Sequence, residues 1–147
     1  MIFQRNISRP ATGNSSPASL VPIRVLLIDD NSDFLSTASR FLRTQAEKEI
    51  EVIGSSSSAE EGIALTSLLD PDVVIMDYGM PGMNGFEATQ QIKSLPKPPH
   101  VILLTLFDSP EYREKALHAG ADAFLSKSEF GDMLISLIYR VSLHPPS

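Results

Sequence analysis

The sequence predicts an α/β protein built on a single doubly wound, five-stranded parallel sheet with five helices, and three observations carry that prediction. From Ile23 onward short apolar runs alternate five times with longer segments of helical period, the pattern of successive βαβ units. Two of the runs, Val73-Val74-Ile75-Met76 and Val101-Ile102-Leu103-Leu104, are apolar throughout, as parallel strands covered on both faces require. Acids, a threonine and a lysine follow the runs, at the carboxyl ends of strands where such sheets bind their ligands.

The first strand is expected over 23–28. Phe34, Leu35, Ala38, Phe41 and Leu42 then recur on one helical face, which predicts a first helix of about four turns. A second strand over 51–54 leads through serines to Ser58-Ala59-Glu60-Glu61, a capping box that opens a second helix, whose Ile63, Leu65, Leu68 and Leu69 come before the stop at Asp70-Pro71. The third strand is placed over 72–76. The third helix runs over about 84–94, and Pro96, Pro98 and Pro99 forbid its continuation. A fourth strand over 100–105 precedes Ser109-Pro110-Glu111, which supplies a cap, a first-position proline and a first-turn acid to a fourth helix that Gly120 closes. The fifth strand is expected over 123–125, and Phe130, Leu134, Leu137, Ile138 and Val141 make the apolar face of a fifth helix.

Length and composition bound the function. The 147 residues suit one domain, with 1–22 as a flexible N-terminal tail, 23–141 as the folded unit and 142–147 as a C-terminal tail. The N-terminal segment holds three prolines, four serines, two arginines and no acid. All eighteen acids therefore lie beyond it, against ten of the twelve bases, an acid excess that argues against direct nucleic-acid binding. There is no cysteine, which excludes disulfides, thiolate metal sites and cysteine nucleophiles. No apolar run approaches the roughly 20 residues that span a bilayer, and no secretory signal is evident, so a cytoplasmic protein without membrane contact is expected.

The residues after the strands define a candidate site. Asp29 and Asp30 end the first strand, Asp77 the third and Thr105 the fourth, while Lys127 follows the fifth. Crowded carboxylates repel unless a cation neutralises them, and an open set of oxygen ligands suits magnesium better than calcium. Magnesium at carboxylates points to phosphate chemistry, with Lys127 as a point charge, Thr105 as a hydroxyl donor and Asp77, on a central strand, as the nucleophile that forms an aspartyl phosphate. Taken singly, each residue has a plainer role: Asp29-Asp30 as helix caps, Asp77 as a strand terminator, Lys127 as a solvated lysine, Phe124 as a half-buried aromatic. Their joint placement favours the site.

Over 23–140 the sequence resembles a response-regulator receiver domain of two-component signalling. The residues that carry the likeness are Asp29-Asp30, the run from Asp77 through Gly79-Met80-Pro81-Gly82 to Gly85, Leu104-Thr105, and the run from Ala119-Gly120 to Phe124-Leu125-Ser126-Lys127. The run from Leu104 to Tyr112 is similar to receivers of the NarL/LuxR type. The resemblance implies a CheY-like, flavodoxin-like fold with strand order 2-1-3-4-5. It also implies Asp77 as phosphoacceptor, Thr105 and Lys127 at the phosphoryl group, and Mg2+ held by Asp29, Asp30, Asp77 and the backbone carbonyl of Gly79. Thr105 and Phe124 would form the switch. Leu106 stands where a small residue is frequent and would narrow access beside Thr105; with Gly79 and Phe107 it flanks the expected phosphoryl site, so these three positions are expected to tune the rate of dephosphorylation. The implied partners are a sensor histidine kinase or histidine phosphotransfer protein, with a homodimer through the face of the fourth helix, fifth strand and fifth helix. The protein would then be a self-phosphorylating and dephosphorylating switch rather than a turnover enzyme. Ser128 departs from the pattern, standing where many relatives have proline. Two alternatives stay open: a phosphate-independent interaction module of the same fold, and a magnesium-dependent phosphohydrolase.

Overall fold

The computed structural model describes residues 21–46 and 48–143; the two expected tails lie outside it, apart from residues 21, 22, 142 and 143. Strands and helices alternate as β1 (Ile23–Ile28), α1 (Ser32–Gln45), β2 (Ile50–Ser56), α2 (Ala59–Leu69), β3 (Val73–Asp77), α3 (Gly85–Lys93), β4 (His100–Thr105), α4 (Pro110–Ala119), β5 (Ala123–Ser126) and α5 (Phe130–Ser142), with a 3-10 turn at Lys127–Glu129. The strands lie in the order β2-β1-β3-β4-β5, every neighbouring pair parallel, which is the doubly wound order 2-1-3-4-5 expected from the resemblance. β2 is longer than expected and carries a register shift opposite Val25 and Leu26. β3 runs one residue further than expected and takes Asp77 into the sheet.

Two cores cover the two faces. On one, Ala38 and Leu42 of α1 and Leu134, Leu137, Ile138 and Val141 of α5 pack on Val25, Leu27, Ile75 and Leu104. On the other, Ala59, Ala88, Ile92 and Ala116, from α2, α3 and α4, meet Leu26, Val74, Met76, Val101 and Leu103. The two continuous apolar runs are buried end to end, as their composition requires.

The caps follow the sequence with one change. Ser58 accepts the Glu61 N–H as expected, but the Glu61 carboxylate does not return to the Ser58 N–H; Oε1 takes the Ser56 hydroxyl proton at 3.0 Å, and Ser56 Oγ accepts the Ser58 N–H. A complete capping box stands instead at α3, between Asn84 and Glu87. Not every apolar residue of α2 faces the sheet, and Leu68 is 77% exposed. The buried stripe of α2 is Ala59, Gly62 and Thr66, residues small enough for the helix to lie close to β1; a Cβ on Gly62 would stand 2.4 Å from Ile28 Cδ1. Gly120 closes α4 at φ 98, in the left-handed region that glycine enters without a Cβ penalty.

Candidate phosphoacceptor site

Parallel strands in this order bring the ends of β1, β3, β4 and β5 to one edge of the sheet, and the predicted residues meet there. Ligand oxygens of Asp29, Asp30 and Asp77 lie within 4.8 Å of one another, with Asp29 and Asp77 buried and Asp30 exposed. Lys127 reaches in from the end of β5, its Nζ 2.7 Å from Asp29 Oδ2 and 3.2 Å from Asp77 Oδ1. The other Asp77 oxygen accepts the Gly79 N–H at 3.1 Å. The turn after β1 is held by its own side chains: Asp29 Oδ1 accepts the Asn31 N–H, and Asn31, rather than either aspartate, caps α1 by accepting the Phe34 N–H.

Burial pushes the Asp77 carboxyl above its usual value and the Asp29 charge adds to this, while the Lys127 ammonium pulls the other way without cancelling them. For Lys127, burial favours loss of the proton, but pairing with Asp29 and Asp77 outweighs it and the ammonium is held above the ordinary lysine value. The site therefore keeps a cation at its centre.

Does this donor set fit a divalent ion? Asp29 Oδ2 is fully buried and receives no hydrogen bond of acceptable angle, so its short contact with Lys127 is an ion pair that leaves lone-pair capacity unused. Three carboxylates with oxygen donors only, one of them open to solvent, suit a hard cation that keeps part of its water shell, and magnesium fits. The donor set lacks the fuller cage that calcium prefers.

The remaining predicted residues divide by position. Thr105 is buried at the end of β4, and its Oγ1 accepts the Phe107 N–H at 3.1 Å, which leaves the hydroxyl proton free to donate. Leu106 and Phe107 project outward, 73% and 68% exposed. Gly79 is exposed beside Asp77, where a Cβ would come 3.7 Å from Oδ2. Phe124 is half-buried on β5 against the α4 side of the sheet. The Arg113 guanidinium lies 5.8 Å from its ring centroid and is held by two hydrogen bonds to Asp108, at 2.7 and 2.6 Å.

Sequence reasoning did not single out three features near the site. Tyr78 stacks on Phe86 and Tyr112 with centroids 4.5 and 5.0 Å apart, joining the residue after Asp77 to α3 and α4. Arg113 and Asp108 had no signal beyond an ordinary charge pair five residues apart. Phe34 was legible only as part of an apolar helix face, yet its ring centroid lies 4.4 Å from Lys127 Nζ.

A doubly wound parallel sheet with an acidic cluster and a lysine at its carboxyl edge belongs to the α/β proteins whose ligand site lies beyond the strand ends. Residues 25–139 match the response regulator receiver domain family, and this chain belongs to that family. It is 42% identical over 124 residues to the transcriptional regulatory protein LiaR of Bacillus subtilis, covering 84% of this chain and 58% of that protein. It is 32% identical over 121 residues to the nitrate/nitrite response regulator protein NarL of Escherichia coli, covering 82% and 55%. The chain thus spans little more than half the length of these relatives. Among solved structures, the response regulator domain of Thermotoga maritima CheB superposes with a TM-score of 0.78 at 26% identity, over 86% of this chain and all of that one. Receivers of this family are signalling switches that typically bind Mg2+ at an acidic pocket and take a histidine kinase as partner. Among the described residues no helix is long and apolar enough to cross a membrane.

Proposed function

We propose that this chain is a phosphorylation-dependent switch that receives a phosphoryl group on Asp77 from a histidine kinase or histidine phosphotransfer protein. The observation that carries the reading is the buried Asp77 carboxylate with Lys127 on one oxygen and the Gly79 N–H on the other, beside two further aspartates. One Asp77 oxygen forms a bond to phosphorus as the bond from phosphorus to the donor's imidazole nitrogen breaks, and the electron pair leaves with the nitrogen. Lys127 offsets charge on the phosphoryl oxygens, and Thr105 donates its hydroxyl proton to one of them. Asp29, Asp30, Asp77 and the Gly79 carbonyl would hold Mg2+, which supplies further charge neutralisation at those oxygens.

For Thr105 to turn toward the phosphoryl group, its bond with the Phe107 N–H must open, which loosens the loop carrying Leu106 and Phe107. Phe124 then moves into the space behind Thr105 and reshapes the face of α4, β5 and α5, where a second copy of the chain would pair. Gly79, Leu106 and Phe107 border the path of the attacking water and set the lifetime of the phosphorylated state. We place the receiver at 23–141, between two tails, and the protein in the cytoplasm.

Beryllofluoride, which mimics a phosphoryl group on aspartate, tests the switch. With magnesium present, amide shifts are expected at the site and across α4, β5 and α5. Shifts confined to the site would leave a binding pocket without a switch, and no shifts would favour the phosphate-independent module.

A further inference from the structure

We infer that Phe34 is a positioning residue for Lys127, its ring face serving as the platform that holds the ammonium over Asp77. The inference rests on the reading of Asp77 as phosphoacceptor. Lys127 Nζ lies 4.4 Å from the Phe34 ring centroid, well within the reach of a cation–π contact, and the lysine side chain is only 13% exposed, which strengthens the attraction by excluding water.

The ring is itself fixed. The Phe34 N–H donates to Asn31 Oδ1 at 3.0 Å, and the Asn31 N–H donates to Asp29 Oδ1 at 2.9 Å, so two successive bonds tie Phe34 to the acidic turn. Phe130 meets the Phe34 ring edge-on at 5.3 Å and 64°, and packs on Phe41 at 5.1 Å. Phe130 opens α5 just after the turn that carries Lys127, so the three rings clamp α1 to the segment that positions the lysine.

The need for such a platform follows from the company Lys127 keeps. Its two ionic partners are Asp29 and Asp77, and both have other work: one to ligate a cation, the other to accept the phosphoryl group. When these carboxylates turn to their new partners, a flexible four-carbon side chain is released from both before it meets the phosphoryl oxygens. A phenyl face attracts an ammonium but gives a hard divalent ion no oxygen to bind, so it keeps its hold through the whole cycle. Phe34 also packs against the core, and an apolar residue on the face of an amphipathic helix needs no other reason to be there. Substitutions can separate the two roles, because leucine keeps most of the packing and loses the ring.

The experiment measures the rate of phosphoryl gain from acetyl phosphate with magnesium, against donor concentration, for Phe34→Leu and Phe34→Trp, each with Lys127 intact and with Lys127→Ala. Phe34→Leu is expected to slow the reaction at saturating donor by roughly five- to thirtyfold, the range a desolvated cation–π contact supplies. Phe34→Trp should keep the rate. In the Lys127→Ala background Phe34→Leu should change the remaining rate by less than about twofold, since the interaction it removes is already gone. Equal losses in both backgrounds, or no loss with Lys127 intact, would overturn the inference. A second readout needs no variant: the Lys127 ε-methylene protons should resonate upfield of an ordinary lysine through the ring current of Phe34, and an ordinary shift would overturn the inference by itself. Failure of the wild type to gain a phosphoryl group would contradict the Asp77 reading and leave that NMR shift to decide Phe34.

Discussion

Asp77 carries a charge that its surroundings disfavour. Burial and the neighbouring Asp29 raise its carboxyl above the unfolded value of 3.8, so the folded chain holds that proton more tightly than the unfolded chain does. Ionisation of Asp77 therefore costs stability: the cost is absent below 3.8, grows as pH rises toward the raised folded value, and is complete above it. Asp77→Asn is expected to melt higher than the wild type at neutral pH, with the advantage shrinking as the pH is lowered toward the unfolded value. An asparagine variant that melts no higher at neutral pH would show that Lys127 repays the charge in full. The sequence marks Asp29, Asp30, Asp77, Thr105 and Lys127 because each stands at or just after the end of an apolar strand run, and the fold brings these ends together. The sequence does not mark Phe34, whose meaning depends on α1 lying beside the turn after β5, a contact that local spacing does not encode.

Elements meet the site through close approaches that only small residues permit. Gly85 begins α3, donates its N–H to the Tyr78 carbonyl, and packs so tightly that a Cβ would stand 2.7 Å from Tyr78 Cα and 3.3 Å from the Asp77 carbonyl oxygen. Gly85→Ala must push the helix away from the chain that follows Asp77. It is expected to cost about 1–3 kcal/mol of stability, as overpacking of a tight contact does, and to slow phosphorylation of Asp77. Denaturant unfolding and the rate with acetyl phosphate check both; a variant as stable and as fast as the wild type would mean that the loop yields freely. Helix ends were largely legible, because Ser109 caps with its own hydroxyl, which accepts the Tyr112 N–H, and Pro110 and Gly120 act through their own backbones. The helix faces were read less well: α2 buries Ala59, Gly62 and Thr66 and exposes Leu68, since distance to β1 rather than hydropathy decides which side faces the sheet.

For the whole molecule, the alternation of apolar runs and amphipathic segments was enough to state the class of fold, and the strand order came from the family likeness. The order matters because β1 and β3 are neighbours, which sets Asp29 beside Asp77, and β4 and β5 then bring Thr105 and Lys127 to the same edge. The sheet thus gathers a buried aspartate, two further acids, a hydroxyl and a cation at one edge, where Asp77 is proposed to take a phosphoryl group. Intact mass after incubation with acetyl phosphate, on the wild type and on Asp77→Asn, decides whether Asp77 is the acceptor. A gain of one phosphoryl group that requires magnesium and is absent from Asp77→Asn is expected; a gain that survives in the variant, or none in a wild type that binds magnesium, would overturn the assignment.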